Sequence, residues 1–307
     1  FAGYSSFGRK FMDSWKDNRL VFWIWGTPPT LWLVIFFLAP LGIIWGLSFA
    51  EKTSILDTEI TGTLDNYMRA LGDPIYLGII WKSVWISVIA TALCLLIAYP
   101  LAFLISFASA RWKTFLLIAV ILPFWINLLI RTYALITVFR TRGIINNSLE
   151  WVYTNLRLDH LFGQFEPLEM LYNNNAVLAG LVYVFMPFMV LPLYASIERL
   201  DKPYLEASLD LGASQFRTFL SVTIPLTMPG IVSGIILVFI PMLGSFLVPD
   251  LLGGTNAQMI GNVIERQFKA ANDWPFGSAL SFLLMYATFG ALALRAYLAG
   301  RKSGIGI

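Results

Sequence analysis

The sequence predicts an all-α, polytopic membrane protein with six transmembrane helices. Hydrophobic residues make up 58% of the 307 residues and charged residues only 13%, an apolar share well above that of a soluble domain. Apolar runs of about 20 residues or more, the length that crosses a bilayer core, recur along the chain. The predicted spans are 23–49, 79–107, 114–139, 175–195, 222–248 and 276–298.

The first span follows a polar, amphipathic segment at residues 1–22. Its apolar run is too long for the hydrophobic region of a cleaved signal peptide, so we expect a retained helix. The spans follow one another without an internal repeat or low-complexity tract. Residues 23–298 are therefore predicted to form one membrane domain, followed by a short tail at 299–307.

The third span contains buried polarity. Asn127 and Arg131 are four residues apart, which places them on one face of a continuous helix. An Arg at mid-membrane costs roughly 2.5–3.5 kcal/mol on insertion scales, so it normally faces protein or water, or reaches toward the interface. We expect Arg131 to make a structural ion pair near the end of the span.

Five prolines lie inside spans three to five: Pro123, Pro187, Pro192, Pro229 and Pro241. Each removes a backbone donor and tends to kink a helix. Such kinks survive in membranes where neighbouring groups or water satisfy the freed carbonyls. The sequence leaves open whether they act as hinges or only set the shape of the helices.

The distribution of charge predicts the orientation. Lys and Arg are more numerous in the N-terminal segment, the loops near 110 and 200, and the tail than on the other side, which favours both termini in the cytoplasm. Asp and Glu show the opposite bias, so the outer face would be net negative and would attract cations. Ordinary solvated loops are the alternative explanation. The long outer loops 140–174 and 249–275 are expected to form a docking surface.

The stretch LDKPYLEASLDLGASQFRTFLSVTIPLTMPG, residues 200–230, predicts two short helices joined by a bend, in a polar loop at about 196–221. Asp201 is the expected N-cap of the first helix, and Gly212 fits the left-handed position that ends it. Ser214 is the expected cap of the second helix. The apolar contacts of that second helix are predicted to be Phe216, Phe219 and Leu220.

The first short helix is amphipathic. Leu205 and Leu209 share one face, while Glu206 and Asp210 share another. A helix that lies on a membrane surface would favour Lys and Arg on its polar face. Carboxylates point instead to a protein groove with basic residues, which is the helix-in-groove mode of docking.

This loop resembles the coupling loop of bacterial ABC-importer permeases. The family pattern is Glu-Ala-Ala, three residues, Gly, nine residues, then Ile-x-Leu-Pro; the departures here are Ser208, Val222 and Ile224. The resemblance implies a type I ABC importer permease fold and contact with an ATPase on a separate chain. The residues implied to couple to that ATPase are Leu205, Glu206, Ala207, Ser208, Asp210, Gly212 and Ala213.

Further segments resemble the spermidine/putrescine permease subunits, in the same order over roughly residues 65–290. They are LPFWINLLIRTY, VYVFMPFMVLPLYASIERLDKP, LVPDLLGG, MIGNVI and NDWPFGSA. The resemblance implies a bacterial inner-membrane assembly that imports polyamines. The implied assembly has a second related permease, expected to form a heterodimer with this chain, two ATPase copies that bind ATP and Mg, and a periplasmic or extracellular solute-binding protein. The sequence leaves open whether the second permease is a homologue or a second copy of this chain.

The sequence gives no indication of a catalytic site. Cys94 and His160 are the only residues of their types, so neither a disulfide framework nor a metal site is predicted. The motifs of P-loop ATPases, serine hydrolases and zinc proteases are absent. We predict no catalytic residue, no cofactor bound by this chain, and lipid rather than nucleic acid as its surroundings. An intramembrane enzyme would need a nucleophile–base or metal constellation, which the sequence lacks. A secondary transporter would need intramembrane carboxylates, and the predicted spans have almost none, with Asp250 only at an edge.

The candidate residues for a polyamine pathway are Trp125, Phe246 and Asp250, with Tyr183 as a weaker one. Aromatic faces attract ammonium groups, and a carboxylate supplies the opposite charge. Packing against lipid or other helices is the alternative for each aromatic residue, and a solvated turn is the alternative for Asp250. A further alternative is import of another cationic or amino-containing solute.

Overall fold

The computed structural model of the protein describes residues 19–54, 57–157 and 163–303. Most of the predicted segment 1–22, His160 and the end of the predicted tail 299–307 lie outside these residues. The described residues are mostly helical, and their strands form one short antiparallel hairpin. The predicted all-α class is confirmed.

The elements have the following bounds along the chain: α1 Arg19–Leu33, a π-helical turn Val34–Leu38, α2 Ala39–Leu47, β1 Glu51–Lys52, β2 Thr58–Glu59, α3 Asp65–Gly72, α4 Pro74–Phe107, α5 Ala110–Ile121, a 3-10 turn Leu122–Trp125, α6 Leu128–Phe139, α7 Ile144–Asn155, α8 Asn174–Glu198, α9 Lys202–Asp210, α10 Gln215–Thr218, a π-helical turn Phe219–Thr223, α11 Ile224–Leu243, α12 Leu247–Gly253, a 3-10 turn Thr255–Ala257, α13 Ile260–Lys269 and α14 Trp274–Ser303.

Five helical segments of the described residues are long and apolar enough to cross a membrane. A bent pair of helices, Ala110–Trp125 with Leu128–Asn155, raises the number to six if the pair counts as one span. The five segments are Trp23–Leu47, Pro74–Phe107, Asn174–Glu198, Gln215–Leu243 and Trp274–Ala293.

The prediction of one continuous helix over 114–139 is wrong. The two arms of this region meet at an angle of 98°. Pro123 lies in the 3-10 turn, where it has no N–H to continue the helical ladder. Asn127 then takes an extended backbone and its side chain accepts the amide of Leu129 at 2.8 Å, which starts α6 afresh. Asn127 and Arg131 therefore do not share a helical face, since only Arg131 is inside the helix.

The other prolines do not break their helices. α8 continues through Pro187 and Pro192, and α11 continues through Pro229 and Pro241. Of the five prolines singled out in the sequence, only Pro123 coincides with the end of a helix. A proline in a membrane helix is thus compatible with either outcome, depending on the residues that follow it.

By internal contacts the chain divides into two compact units. The larger one, residues 71–266, is called the core unit. Its centre is formed by α4, α8 and α11, whose facing side chains are buried. Small residues permit the close approach: a Cβ added at Gly230 of α11 would clash with the backbone of Pro192 in α8. A hydrogen bond of 2.8 Å between the hydroxyls of Tyr99 and Thr227 joins α4 to α11.

The second unit is formed by the chain up to Ala70 and from Gln267 onward. Its first helical span has exposed apolar side chains along its length, as expected of a surface that faces lipid or another membrane helix. Arg69 pairs with Asp273 at 3.2 Å, and its guanidinium lies 4.1 Å from the ring centre of Phe276. The Trp45 indole donates to the hydroxyl of Tyr286 at 2.7 Å.

Candidate functional site

The coupling loop has the predicted helix–glycine–helix arrangement. Gly212 has a φ of +86°, the left-handed value predicted for it. The amide of Ala213 donates to the carbonyl of Ser208 at 3.2 Å, and the amide of Gly212 donates to the carbonyl of Leu209 at 2.9 Å. These two bonds are those of a Schellman helix end. They set the angle at which the chain leaves α9.

The second short helix is held against the first one. The Ser214 hydroxyl accepts the amide of Arg217 at 3.3 Å, so the predicted cap is confirmed. The hydroxyls of Ser208 and Thr218 lie 2.9 Å apart, and Thr218 is buried. Ser208 stands where the importer pattern has its second Ala. Its hydroxyl therefore ties the two helices together instead of only leaving room between them.

Two details of the predicted coupling loop are wrong. Asp201 occupies the N-cap position, but its side chain makes no capping hydrogen bond. The next residue but one, Pro203, lacks one of the N–H groups that a capping side chain would bind. Phe216 is 71% exposed and Leu220 47% exposed rather than packed under α10. Because α10 has only four residues, Phe219 is the one of the three predicted contacts that makes an inward ring contact.

The outward side of the coupling loop is apolar and acidic. Leu211 is 89% exposed, Phe216 71% and Tyr204 58%. The carboxylate residues Glu206 and Asp210 are exposed beside them. An exposed apolar cluster with charged neighbours is typical of a protein interaction site. The loop therefore presents a ready surface to another protein.

The coupling loop is connected to the centre of the core unit through aromatic and hydroxyl contacts. The ring of Phe219 meets the ring of Tyr99 edge-on at 5.4 Å. Tyr99 in turn bonds to Thr227, whose hydroxyl also donates to the carbonyl of Thr223 at 2.8 Å. A displacement of the coupling loop would therefore be transmitted to α4 and α11 through these contacts.

A second connection joins the end of α8, from which the coupling loop emerges, to the start of α5. The Lys113 ammonium contacts both carboxylate oxygens of Glu198, at 2.7 and 2.9 Å. Both side chains are partly exposed, so the pair contributes little to stability by itself. Its geometry nevertheless fixes the position of the helix end next to Asp201.

The predicted pathway residues lie on three parts of the core unit, and each is exposed. Trp125, at the end of the 3-10 turn, is 85% exposed, and Tyr183 in α8 is 40% exposed. Phe246, 41% exposed, precedes α12, and Asp250 lies one turn later, with its amide bonded to the Phe246 carbonyl at 3.0 Å. The structure does not enclose these four residues in a pocket. Their roles remain predictions.

A residue that the sequence reasoning missed positions Phe246 and α12. The buried Asn262 side chain donates to the carbonyl of Phe246 at 2.8 Å and accepts the amide of Met259 at 3.1 Å. Beside it, a Cβ added at Gly261 would clash with the backbone of Ser245. The segment MIGNVI was visible in the sequence, but nothing in it indicated which backbone groups the amide would bind.

Replacing Asn262 with Ala should destabilise the core unit by about 1–3 kcal/mol, because it leaves the buried amide of Met259 without its acceptor and removes one of the hydrogen bonds to the Phe246 carbonyl. The thermal unfolding temperature of the detergent-solubilised protein would show the loss. Asn147→Ala is the matched control, since Asn147 is exposed on α7 and should melt like the unchanged protein. Equal melting of the two variants would contradict the positioning role of Asn262.

The predicted ion pair of Arg131 is wrong for the conformation described. Arg131 is only 7% exposed, yet its Nε and Nη1 atoms have no hydrogen-bond partner. The salt bridges found among residues 19–54, 57–157 and 163–303 do not include it. The prediction failed because it assumed a nearby anion, and the break at Asn127 places the guanidinium inside the core unit instead.

A groove of about 470 Å³ lies between α8 and α11, next to the start of α9. It mixes hydroxyl, charged and apolar groups and contains none of the four predicted pathway residues. Its lining is Pro192, Ala195, Ser196, Arg199, Leu200, Asp201, Tyr204, Leu226, Pro229, Gly230 and Ser233. Within the described ranges, no three His, Cys, Asp or Glu residues are grouped so that they could hold a metal ion.

Comparison with known proteins gives a consistent result. The family described as binding-protein-dependent transport system inner membrane component matches residues 11–301. The spermidine/putrescine transport system permease protein PotB of Escherichia coli (strain K12) is 44% identical over 254 residues, which are 82% of this chain and 88% of that protein. PotB of Haemophilus influenzae is 42% identical over 250 residues, with 81% and 84% covered.

A more distant relative is the inner membrane ABC transporter permease protein YdcU of Escherichia coli, 31% identical over 279 residues, with 88% of this chain and 87% of YdcU covered. Among solved structures, a bacterial ABC transporter involved in the import of the acidic polysaccharide alginate matches with a TM-score of 0.67 and 16% identity, over 96% of this chain and 100% of the other. The same kind of transporter in complex with an alginate pentasaccharide-bound periplasmic protein matches with a TM-score of 0.69 and 17% identity, over 95% and 99%. At these identities the structural likeness shows the fold alone.

Proposed function

The chain belongs to the family of binding-protein-dependent transport system inner membrane components, and on that basis we propose how it works as the permease subunit of an ATP-driven polyamine importer. The predicted type I importer permease fold is confirmed by the structural match over nearly the whole chain. The observation that carries the substrate class is the 44% identity to a spermidine/putrescine permease over 82% of the chain. The partners and the pathway are proposed from the geometry of the coupling loop and of the core unit.

The partners would be a second, related permease, two copies of an ATPase that binds ATP and Mg, and a solute-binding protein. The exposed apolar cluster of the coupling loop supports an ATPase partner, since Leu211 and Phe216 are unpacked in this chain. Glu206 and Asp210 beside them favour basic residues on that partner. One relative by fold was solved with a periplasmic protein bound, which supports a binding protein on the opposite face.

Coupling would operate by movement of the α9–α10 unit. The Schellman end at Gly212 and the bond from Ser208 to Thr218 make this unit rigid. When ATP-driven closure of the ATPase pulls on it, the contacts from Phe219 through Tyr99 pass the displacement to α4 and α11. Rocking of helices around a fixed site is the usual form of alternating access.

The pathway would recognise ammonium groups separated by methylenes. Trp125, Tyr183 and Phe246 offer exposed aromatic faces, and a cation over such a face gains about 0.5–2 kcal/mol. Asp250 offers an exposed carboxylate one turn from Phe246. A site of this kind binds weakly enough to release its substrate, as transport requires.

The substrate class is tested by uptake into cells that lack their own polyamine import and express this chain with its co-purifying subunits. Radiolabelled spermidine or putrescine should accumulate, and unlabelled polyamines should compete more strongly than other amino-containing solutes. Preferential uptake of a different cation would replace the polyamine assignment within the same transporter class. Uptake of an anion or a neutral sugar would contradict the cationic pathway altogether.

The proposed orientation places the coupling loop and both termini in the cytoplasm. α8 has 25 residues, a length of about 38 Å at about 1.5 Å per residue, enough to cross a bilayer core of about 30 Å. In a Cys94→Ala background, Gln215→Cys should therefore react with a membrane-impermeant thiol reagent only in inside-out vesicles. Asn175→Cys should react only in right-side-out vesicles. Labelling of both positions from one side would overturn the topology and the ATPase contact with it.

A further inference from the structure

The groove between α8 and α11 changes in polarity along its length. Its charged groups lie at one end, where Arg199 is the C-cap of α8 and Asp201 is at the N-cap position of α9. Pro192 lines the groove about 10 Å further along α8, at about 1.5 Å per residue. The groove volume of about 470 Å³ is in the range of small-molecule sites.

The deeper part of the groove is apolar in effect, although two serines line it. The Ser233 hydroxyl donates to the carbonyl of Pro229 at 2.7 Å, and the Ser196 hydroxyl donates to the carbonyl of Thr227 at 3.5 Å. Both hydroxyl protons are therefore used within the protein. The floor of the groove is closed at Gly230, where an added Cβ would clash with the side chain of Ser196.

The two charges at the other end of the groove are not used by the protein. Asp201 makes no capping hydrogen bond, and within the described part of the chain the salt bridges include neither Arg199 nor Asp201. The neighbouring Glu198 is already bound to Lys113. Arg199 and Asp201 are exposed and only two positions apart, so their Cα atoms are separated by at most about 7 Å. The groove thus offers a cation and an anion side by side.

The depth of the groove matches one leaflet of a bilayer. Centred on a hydrocarbon core of about 30 Å, α8 with its length of about 38 Å extends about 4 Å beyond the core at each end. Arg199 is then at the level of the lipid headgroups, and Pro192 is about 6 Å inside the core. Leu226 on the α11 side is 48% exposed. In the proposed orientation the charged end belongs to the cytoplasmic leaflet.

We infer that this groove is a binding site for a phospholipid whose headgroup carries both a phosphate and a primary ammonium, as in phosphatidylethanolamine. The Arg199 guanidinium donates to the phosphate, for which its planar fork is suited. The ammonium donates to the carboxylate of Asp201, and an acyl chain lies against Pro192 and Leu226. Because Tyr204 of α9 also lines the groove, the lipid would connect the membrane to the coupling loop.

Other occupants match only part of the groove. An anionic phospholipid would bring uncompensated negative charge to Asp201, and a polyamine from the cytoplasm would meet the like charge of Arg199. A soluble zwitterion would leave the apolar walls in contact with water. A helix of a partner permease laid over the groove would bury both charges at a cost in desolvation. The zwitterionic lipid satisfies the charges and the walls together.

Lipid binding to the purified chain in detergent tests the two charges, with native mass spectrometry giving the Kd for phosphatidylethanolamine and for phosphatidylglycerol. Arg199→Gln should weaken phosphatidylethanolamine binding about ten-fold or more, because a hydrogen bond to a charged group is lost. Asp201→Asn should abolish the preference for phosphatidylethanolamine over phosphatidylglycerol. Arg217→Gln and Asp210→Asn, exposed on the coupling loop outside the groove, are the matched controls and should bind like the unchanged chain. Equal affinities in all variants would overturn the site.

Ala195→Phe tests the groove itself, since it fills the apolar part and leaves both charges in place. It should also weaken phosphatidylethanolamine binding about ten-fold; unchanged binding would place the lipid outside the groove and overturn the inference. Soluble phosphoethanolamine should bind far more weakly than the lipid, and equal affinity would overturn a membrane ligand. Phosphatidylethanolamine should co-purify with the assembled transporter in a smaller amount when Arg199→Gln is present. Its absence from the unchanged transporter would show that another subunit covers the groove. None of these results depends on which solute is transported.

Discussion

Glu206→Arg is expected to abolish ATP-driven uptake while the subunit still inserts into the membrane. Glu206 is exposed on the coupling loop beside Leu211 and Phe216. Reversing its charge places like charges together in a desolvated contact, and losses at such anchors are typically about 2 kcal/mol or more. The measurements are uptake of labelled spermidine and co-purification with the ATPase. Glu59→Arg, which changes an exposed carboxylate of β2 outside the coupling loop and outside the predicted docking loops, should transport normally.

Gly212→Val tests the same loop through its backbone. The space around Gly212 is open, but its φ of +86° is one that a β-branched residue tolerates poorly. The strain would unwind the Schellman end and misdirect α10. Gly290→Val is the matched control, because Gly290 also has open space but lies in ordinary helical backbone. If Gly212→Val and Glu206→Arg both transport and co-purify normally, the coupling loop is not the ATPase contact.

Asp250→Asn should raise the KM for polyamine uptake at least ten-fold. The amide keeps the shape of the side chain and removes its charge, and a hydrogen bond to a charged group is worth about 1.5–3 kcal/mol, of which about 1.4 kcal/mol corresponds to a factor of ten. Asp250 is exposed at α12, where the substitution creates no buried orphan group, so assembly with the other subunits should be retained. Initial rates of uptake over a range of spermidine concentrations give the KM.

The control for Asp250→Asn is Asp57→Asn. Asp57 is an exposed carboxylate in the hairpin segment, and its neutralisation tests whether general surface charge is responsible. Its KM should equal that of the unchanged protein. A wild-type KM for Asp250→Asn would remove this residue from the pathway.

Local features were the most predictable from the sequence. The positions of Gly212 and Ser214 follow from the chain's own backbone needs, a left-handed residue and a helix cap, and both are where the sequence places them. The coupling pattern was readable for the same reason, because its residues contact one another over a short stretch. Even there, Phe216 was assigned to the wrong side, since four residues of helix leave its direction to the surrounding fold.

Features that depend on distant parts of the chain were not predictable. Pro123 lies at a break and Pro187 does not, although the two residues have the same local chemistry. The difference at Pro123 is the capping of a new helix by Asn127. The role of Asn262 required knowing that Phe246 would lie beside it. The candidate pathway was selected by residue chemistry alone, and the structure places its members on separate elements.

The most direct test of the account is transport by the purified complex in proteoliposomes. The chain, its partner permease and the ATPase would be reconstituted into proteoliposomes that enclose ATP and Mg. The binding protein and spermidine would be added outside. We predict accumulation of spermidine that requires ATP hydrolysis and the binding protein, and that is lost with Glu206→Arg. Accumulation of spermidine without ATP, or ATP-driven accumulation that Glu206→Arg leaves intact, would contradict the central claim that this permease couples polyamine import to a separate ATPase through its coupling loop.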